Sequence, residues 1–448
     1  MSPDQTGPAD LLLPATGLLT DHYELTMVRA ALRSGAAHRR SVFEVFARQL
    51  PSGRRYGVVA GTSRLLDALE RFRFGPAELD FLARSGIADD PELEFLSNYR
   101  FGGNIWGYGE GDCYFPGSPI LVVEGTFAEA VVLETLALSV LNHDCAIASA
   151  ASRMVTAASG RPLIEMGSRR THELSAVAAA RAAYIAGFAT TSNLRAGYQY
   201  GVPTSGTSAH AFTLVHDDER QAFAAQLDAL GAGTTLLADT YDVTAAIELA
   251  VELAGPALGA VRIDSGDLAA AAREVRAQLD RLGADKTRIV LTGDLDEFSI
   301  AALAAEPVDG YGVGTSLVTG SGAPTAALVY KLVARAVTSG RDAQLLPVAK
   351  RSVGKPSRGG RKWAVRQFDA SGRAITELVT DTEPDTQADG RPLLRPLVRD
   401  GEIVGREPLA AARARHQSAL AELPGYARQL TRGYPAIPTV FQPENHDT

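Results

Sequence analysis

Between Pro162 and Val313 the chain repeats one unit: an apolar run, a polar loop, then a longer amphipathic stretch at helical spacing. No other feature narrows the fold as much, because a strand followed by a crossover helix places the next strand parallel to the first. The apolar runs are Pro162 to Met166, Gly187 to Thr191, Thr204 to Ala209, Thr235 to Asp239, Gly259 to Asp264, Thr287 to Thr292 and Gly310 to Val313. Helices are expected at Leu174 to Ala186, Asp217 to Leu230, Val243 to Ala254, Leu268 to Leu282 and Glu297 to Ala305. So many units without a reversal predict a closed α/β barrel in preference to an open sheet. In a barrel, the loops at the C-terminal ends of the strands carry the chemistry.

Those ends are polar in this chain. Gly167-Ser168-Arg169-Arg170-Thr171-His172 follows the first run, and Asp239 and Asp242 follow the fourth. Arg262, Asp264 and Asp267 surround the fifth, Asp294 and Asp296 follow the sixth, and Gly312-Val313-Gly314-Thr315-Ser316 closes the seventh. The third ends in Ser205-Gly206-Thr207-Ser208-Ala209-His210, after a glycine-spaced aromatic approach (Gly197, Tyr198, Tyr200, Gly201) that reads as a strand end opening into a loop. Small neighbours leave the His210 imidazole uncovered and let backbone approach a ligand. Such a histidine is either a hydrogen-bonded structural residue or a base, charge stabiliser or phosphoryl acceptor. Several polar strand ends on one face favour a site.

Each cluster has a matching ligand. Gly-x-Gly-Thr-Ser after a strand can offer backbone N–H groups to a phosphate. Asp264, Asp267 and Asp294 suit a Mg²⁺ ion or ribose hydroxyls. Arg169, Arg170 and Arg262 can bind anions through paired donors. Together they point to a phosphorylated, sugar-containing anion.

The rest of the chain has another texture. At 448 residues it exceeds the ~250–300 over which a single core usually extends, so two domains are expected. Leu18 to Arg33 reads as a helix capped by Thr20 or Asp21, Ser41 to Ala47 as a strand, and Arg48 to Arg55 as a basic loop. Short helices follow over Thr62 to Phe72 and Pro76 to Asn98, then glycine-spaced strands over Phe101 to Gly125 and a buried helix over Glu129 to Asn142 that carries Glu134. After Tyr330, strands are expected at Lys331 to Val337, Gln344 to Val348, Trp363 to Phe368 and Ile375 to Thr380, around the basic loop Lys350 to Lys362, before a last helix at Leu409 to Ala421. The resulting division is a flexible tail over 1–17, a sheet-sandwich domain from 18–137 and 338–448, and a barrel domain over 138–337.

Composition limits the partners. No uninterrupted apolar run approaches the ~18 residues of a membrane span, so a soluble protein with no membrane partner is expected. Two cysteines, Cys113 and Cys145, exclude a disulfide framework and point to the cytoplasm. A net charge of −8 argues against a nucleic-acid partner. The consecutive Asn142-His143-Asp144-Cys145 reads as a polar helix end, since neighbouring ligands cannot easily converge on a metal. His143 and His172 receive no catalytic role.

Taken in order, the segments TDHYELTM, FEVFARQLPSGR, GSRRTH, GVPTSGTSAH, LLADTYD, RIDSGDL, TGDLDEF and GYGVGTSLVTG resemble those of the nicotinate phosphoribosyltransferases, from Thr20 to about Arg366. The resemblance implies an irregular TIM-like α/β barrel joined to a sheet sandwich built from both ends of the chain. It implies condensation of nicotinate with phosphoribosyl pyrophosphate, coupled to ATP hydrolysis through a phosphohistidine at His210, with Mg²⁺ as cofactor. It places Tyr23 against the pyridine ring, Thr207 and Arg262 beside nicotinate, and Arg169 near the carboxylate or phosphates. Thr315, with Gly312 and Gly314, would hold the 5-phosphate, and Asp264 and Asp294 ribose hydroxyls or Mg²⁺. Lys350, Lys355 and Arg361 are further implied partners. A homodimer with shared sites is implied, the FEVFARQLPSGR loop serving the partner's site.

Competing functions leave different marks. A nicotinamide phosphoribosyltransferase would hold the amide with an aspartate upstream of the histidine segment, where Ala189 to Asn193 contains no acid. A non-catalytic phosphosugar-binding regulator on the same fold has no need of His210, Arg262, Asp264 and Asp294 together. A Schiff-base lyase needs a lysine, which is absent from Met1 to Asp285.

Overall fold

The computed structural model describes residues 15–340, 343–350, 357–385 and 390–442. Most of the expected tail, and Lys355, lie outside them. Residues 16 and 17 are packed: the Thr16 hydroxyl donates to the Ala68 carbonyl at 2.6 Å, and a Cβ on Gly17 would sit 2.5 Å from the Arg73 carbonyl oxygen.

Six parallel strands form one half, in the spatial order Thr190–Thr191, Leu163–Glu165, Gly310–Val313, Arg288–Leu291, Ala260–Ile263 and Thr235–Leu237. Ala260–Ile263 and Gly310–Val313 are buried at every residue, as parallel strands covered by helices on both faces must be. The crossover helices fall where the periodicity puts them, at Glu173–Ile185, Glu219–Leu230, Val243–Ala254, Leu268–Arg281 and Glu297–Ala302. The α/β class therefore holds.

The barrel does not close. Among the described residues the edge strands Thr190–Thr191 and Thr235–Leu237 do not pair with each other, so the sheet is a curled half-barrel. The gap falls at the expected third strand, Thr204 to Ala209. That run makes one ladder contact, Thr191 to Thr204, and then leads into a short helix, His210–Leu214. Serine, glycine and threonine offer a sheet no apolar face, and their hydroxyls compete for backbone hydrogen bonds. The aromatic approach before it is the helix Leu194–Tyr200, whose first turn is capped by Asn193.

The other half centres on a seven-stranded sheet in the order Leu345–Pro347, Leu328–Ala336, Arg40–Ala47, Leu121–Thr126, Asn104–Gly107, Arg395–Arg399, Glu402–Ile403. It takes strands from both ends of the chain. Leu328–Ala336, which the sequence division left with the barrel, pairs antiparallel with Arg40–Ala47, and Phe43 stacks on Tyr330 with ring centroids 4.9 Å apart. A smaller sheet orders Arg391–Pro392, Trp363–Phe368, Ala374–Thr380 and Thr439–Phe441.

One helix joins the halves. Glu134–Ala157 runs 24 residues, well past the expected end at Asn142. The Asn142 to Cys145 run thus lies mid-helix. Leu136, Ala137, Val140 and Leu141 belong to the core of the seven-stranded sheet, whereas Ile147, Ala148, Ala151 and Met154 belong to that of the half-barrel. The helical stretch Phe127–Ala157 is long and apolar enough to cross a membrane, but 67% of its most apolar window is buried inside the protein.

The C-terminal helix Leu409–Glu422 docks on this spine through His416. Its Nδ1 donates to the Gly111 carbonyl at 3.0 Å, and its Nε2 accepts from Ser152 at 2.9 Å. Burial holds its pKa down at about 4. The unfolded chain then takes up this proton near pH 6.5 while the folded chain does not, so stability is lost as pH falls from about 6.5 towards 4. Denaturant unfolding across that window is expected to show a shallower loss in His416→Gln than in the wild type; equal slopes would mean that His416 does not titrate as described.

Candidate active site

The half-barrel presents its chemistry where the strands end, but many acids there are occupied. Asp242 accepts from the Ala245 amide at 2.8 Å and caps Val243–Ala254. Asp267 caps Leu268–Arg281 and Asp296 caps Glu297–Ala302. His172 likewise accepts from the Leu174 amide, at 3.3 Å. Each strand-to-helix turn needs an acceptor for its orphan N–H groups, and these residues supply it. Asp267 therefore leaves the set of metal or ribose ligands, and Asp264 and Asp294 remain.

Asp239 ties its own strand end to the next one and to the start of the helix His210–Leu214. Its Oδ2 accepts from the Asp264 amide at 2.9 Å and the Ser265 hydroxyl at 2.6 Å, and its Oδ1 faces His210 Nε2 at 3.1 Å. Burial works to raise its pKa, yet the bonds from Ser265, Asp264 and His210 outweigh it and hold the carboxyl below its ordinary value. An ionised Asp239 accepts from His210 Nε2 and so orients the ring, with Nδ1 outside that contact. The His210 side chain is 39% exposed and that of Asp239 3%. The histidine is open on one side and held on the other.

Arg262 lies next to it. Its Nη1 donates to the Thr207 hydroxyl and, at 3.2 Å, to the Ser208 carbonyl, so a strand residue grips the loop that leads to His210. Asp264 stands 3.7 Å away and accepts from the Thr292 hydroxyl on the next strand end. Burial lowers the Arg262 pKa, Asp264 and Asp239 oppose the shift, and the charge of Arg169 adds to it. That repulsion puts Arg169, itself exposed, within electrostatic reach of Arg262. Arg262 Nε is buried without a hydrogen-bond partner.

Thr207, His210, Arg262, Asp264 and Arg169 thus share one site. Asp294 is exposed one strand over, with φ 49° behind Gly293 at φ 117°, a left-handed pair that carries the carboxylate out of the sheet. Thr315 opens a four-residue helix capped by Gly314. Gly312 is small for packing: a Cβ there would lie 2.5 Å from Thr292 Cγ2 and 2.7 Å from Met166 Sδ. A Cβ on Gly206 would meet nothing within 4 Å, which leaves the loop approachable.

Other implied residues stand elsewhere. Tyr23 is half-exposed beside Glu24, Glu134 and Thr135, and burial together with those two carboxylates pushes its phenol up to about 12. Its neighbours lie on the first helix and the start of the spine. Arg361 pairs with Glu124 at 3.0 Å and lies 3.4 Å over the Trp363 ring. The exposed Lys350 has its backbone amide tied to Ser357 at 3.0 Å. In the basic loop, Arg54 is buried and donates to the Gly320 carbonyl at 2.5 Å, while Arg55 donates to Thr431 and to the Arg432 carbonyl, each at 3.3 Å. Both are committed to their own chain.

The comparisons with known proteins bear directly on this geometry. Residues 18–142 match the nicotinate phosphoribosyltransferase N-terminal domain. Over 447 residues the chain is 59% identical to nicotinate phosphoribosyltransferase pncB1 of Mycobacterium tuberculosis, covering 98% of this chain and 96% of that one. The chain belongs to the nicotinate phosphoribosyltransferase family. It is an enzyme of that family. Nicotinate phosphoribosyltransferase pncB2 of the same species is 40% identical over 86% of this chain and 82% of its own. The crystal structure of human nicotinic acid phosphoribosyltransferase superposes with a TM-score of 0.81 at 28% identity, covering 95% of this chain and 98% of that one. The family fold thus includes the half-barrel and the two-ended sheet.

No motif in the sequence assigns Asp239, Thr292 or Glu165 an individual role. Asp239 and Thr292 sit at strand ends, and Glu165 is the one charge in an otherwise apolar strand, a signal that was available. Asp239→Asn removes the charge that orients His210 and is expected to lower kcat/KM by about 10²-fold. Steady-state rates at matched concentrations of folded protein check this, and an unchanged kcat/KM would detach Asp239 from the site.

Proposed function

We propose that the enzyme transfers the phosphoribosyl group of 5-phosphoribosyl 1-pyrophosphate to nicotinate, giving nicotinate mononucleotide and pyrophosphate in NAD salvage, and couples this to ATP hydrolysis through phosphorylation of His210. One observation carries the proposal: the strand residue Arg262 is bonded to Thr207 in the loop that delivers His210, so an anion receptor and a nucleophilic nitrogen share one support. Family membership supplies the reaction class.

In this reading the nicotinate carboxylate takes the buried, unpartnered Nε of Arg262 and the neighbouring Nη2, a fork that matches a carboxylate and leaves Nη1 on Thr207. An uncharged amide gains less from that fork, which favours nicotinate over nicotinamide. The ring nitrogen attacks C1 of the ribose as the C1–O bond breaks and the electron pair leaves with pyrophosphate. Arg169 supports the negative charge that develops there. Thr315 with Gly312 and Gly314 hold the 5-phosphate, and Asp264 and Asp294 address the ribose hydroxyls or the metal.

Among the described residues no three His, Cys, Asp or Glu side chains form a metal cage. Asp264 and Asp294 instead suit a Mg²⁺ ion that shares its coordination with the donor's phosphates, since Mg²⁺ is usually held by one or two carboxylates plus phosphate oxygens. When bound, the ion would neutralise charge on the leaving pyrophosphate. In the ATP half-reaction, His210 Nδ1 takes the γ-phosphoryl group: an N–P bond forms, the β–γ P–O bond breaks and ADP leaves. The added charge beside Arg262 and Arg169 changes the affinity for the anionic donor. The working unit in this reading is a cytoplasmic homodimer in which Tyr23, exposed on the sheet half, meets the pyridine ring of the partner's site.

Incubation with ATP is expected to leave acid-labile phosphate on the wild type and none on His210→Ala, which keeps uncoupled transfer but loses its stimulation by ATP. Undiminished stimulation in the variant would overturn the assignment. Arg262→Ala is expected to lower kcat/KM for nicotinate by about 10²–10³-fold, and a wild type that prefers nicotinamide would overturn the choice of substrate.

A further inference from the structure

Glu165 ends the strand Leu163–Glu165, second from the edge of the half-barrel, with 0% of its surface exposed. Among the described residues its carboxylate has no salt-bridge partner; its bonds come from the Gly167 amide and the Thr191 hydroxyl. Burial raises its pKa against those two bonds, and no cation assists. Removing a charged group from water is costly, and an apolar residue of similar size would pack here at lower cost. The acid therefore needs a reason other than stability.

The bonds around it supply one. Thr191 Oγ1, which meets Glu165, accepts in turn from the Asn193 amide at 2.9 Å. The Asn193 side-chain amide donates to Ser168 Oγ, also at 2.9 Å. Ser168 follows Gly167, whose amide returns to Glu165. The ring closes through Glu165, Gly167, Ser168, Asn193 and Thr191. It clasps the loop that carries Arg169 to the turn that opens the helix Leu194–Tyr200, ahead of the Thr207 to His210 segment. On its other flank the loop has no slack, because a Cβ on Gly167 would lie 2.2 Å from Val318 Cγ1 and 3.2 Å from the Gly314 carbonyl oxygen.

We propose that Glu165 is a positioning residue, which through this ring sets the Ser168-Arg169 loop at the height where Arg169 meets the anionic donor. The inference rests on the role of Arg169 given above. Glutamine can close the same ring, its carbonyl accepting from Gly167 and its amide donating to Thr191, whereas alanine cannot.

Three variants test this: Glu165→Ala, Glu165→Gln and, as a control for lost packing on the same strand, Leu163→Ala. Glu165→Ala is expected to lower kcat/KM for phosphoribosyl pyrophosphate by about 10²-fold, the scale of a misplaced binding group, with the loss in KM and kcat within about threefold. Glu165→Gln should restore KM to within about threefold of wild type, and Leu163→Ala should leave KM at the wild-type value while lowering thermal stability. Amide hydrogen exchange at Gly167 and Ser168 should speed up in Glu165→Ala and return in Glu165→Gln. A Glu165→Ala enzyme with wild-type KM and protection, or a Glu165→Gln no better than alanine in both readouts, overturns the proposal. If the wild type turns over no nicotinate, the reaction assignment fails, and the exchange comparison alone still decides for or against the ring.

Discussion

The structure depends on one helix that is buried along most of its length in two different cores. Glu134–Ala157 cannot leave either core without exposing a continuous apolar surface, so its two halves hold the seven-stranded sheet and the half-barrel at fixed spacing. Its few polar groups fix rotation and register. Asp144 takes Arg64 at 2.7 Å, Ser149 accepts from the Val58 amide at 2.9 Å, and Arg153 reaches Glu297 at 3.0 Å on the helix that follows Asp294. Arg153 also donates to the Gly53 carbonyl at 2.8 Å and the Leu430 carbonyl at 3.2 Å. Through that one guanidinium, segments near both ends of the chain are fixed to a strand end of the half-barrel.

Around this axis the strand-end residues divide into two groups with different tasks. Asp242, Asp267 and Asp296 satisfy helix amides, whereas Asp239 holds His210, the Asp264 side chain meets Thr292 and Arg262, and Asp294 is exposed. The division follows from position in the turn. An acid immediately before a helix finds unpaired N–H groups within reach, and one placed at the strand's last residues does not. Caps and reactive carboxylates therefore coexist in each short βα loop, and the caps give those loops their rigidity.

Much of this was legible in the residues. Alternating apolar and amphipathic runs located all six parallel strands and their helices, because buried short strands and capped helices are both strong local signals. Non-local facts were not legible. Neither the shared use of Thr207 by Arg262 nor the pairing of Leu328–Ala336 with Arg40–Ala47 has a signature within a short window. Strand propensity failed at Thr204 to Ala209, where threonine suggests a strand but hydroxyl-rich, glycine-broken chain has no apolar face to bury. The aromatic approach failed for a related reason: Tyr198 is 69% exposed and Tyr200 packs over Arg181, so their spacing reflects a surface helix and not a buried strand.

The gap in the half-barrel has a thermodynamic consequence. A segment inside a sheet is held by backbone bonds that no ligand touches, so its fold and its chemistry can be altered separately. Beyond Ser205, whose amide donates to the Thr191 carbonyl at 2.9 Å, residues 206 to 210 lack that insurance. Their principal ties to the sheet are Thr207 on Arg262 and His210 on Asp239, made by side chains of the candidate site itself. A group that takes the Arg262 Nε or the His210 Nδ1 leaves both ties in place yet leans on the same two side chains, and so the local folding free energy of the loop and the affinity of the site are linked.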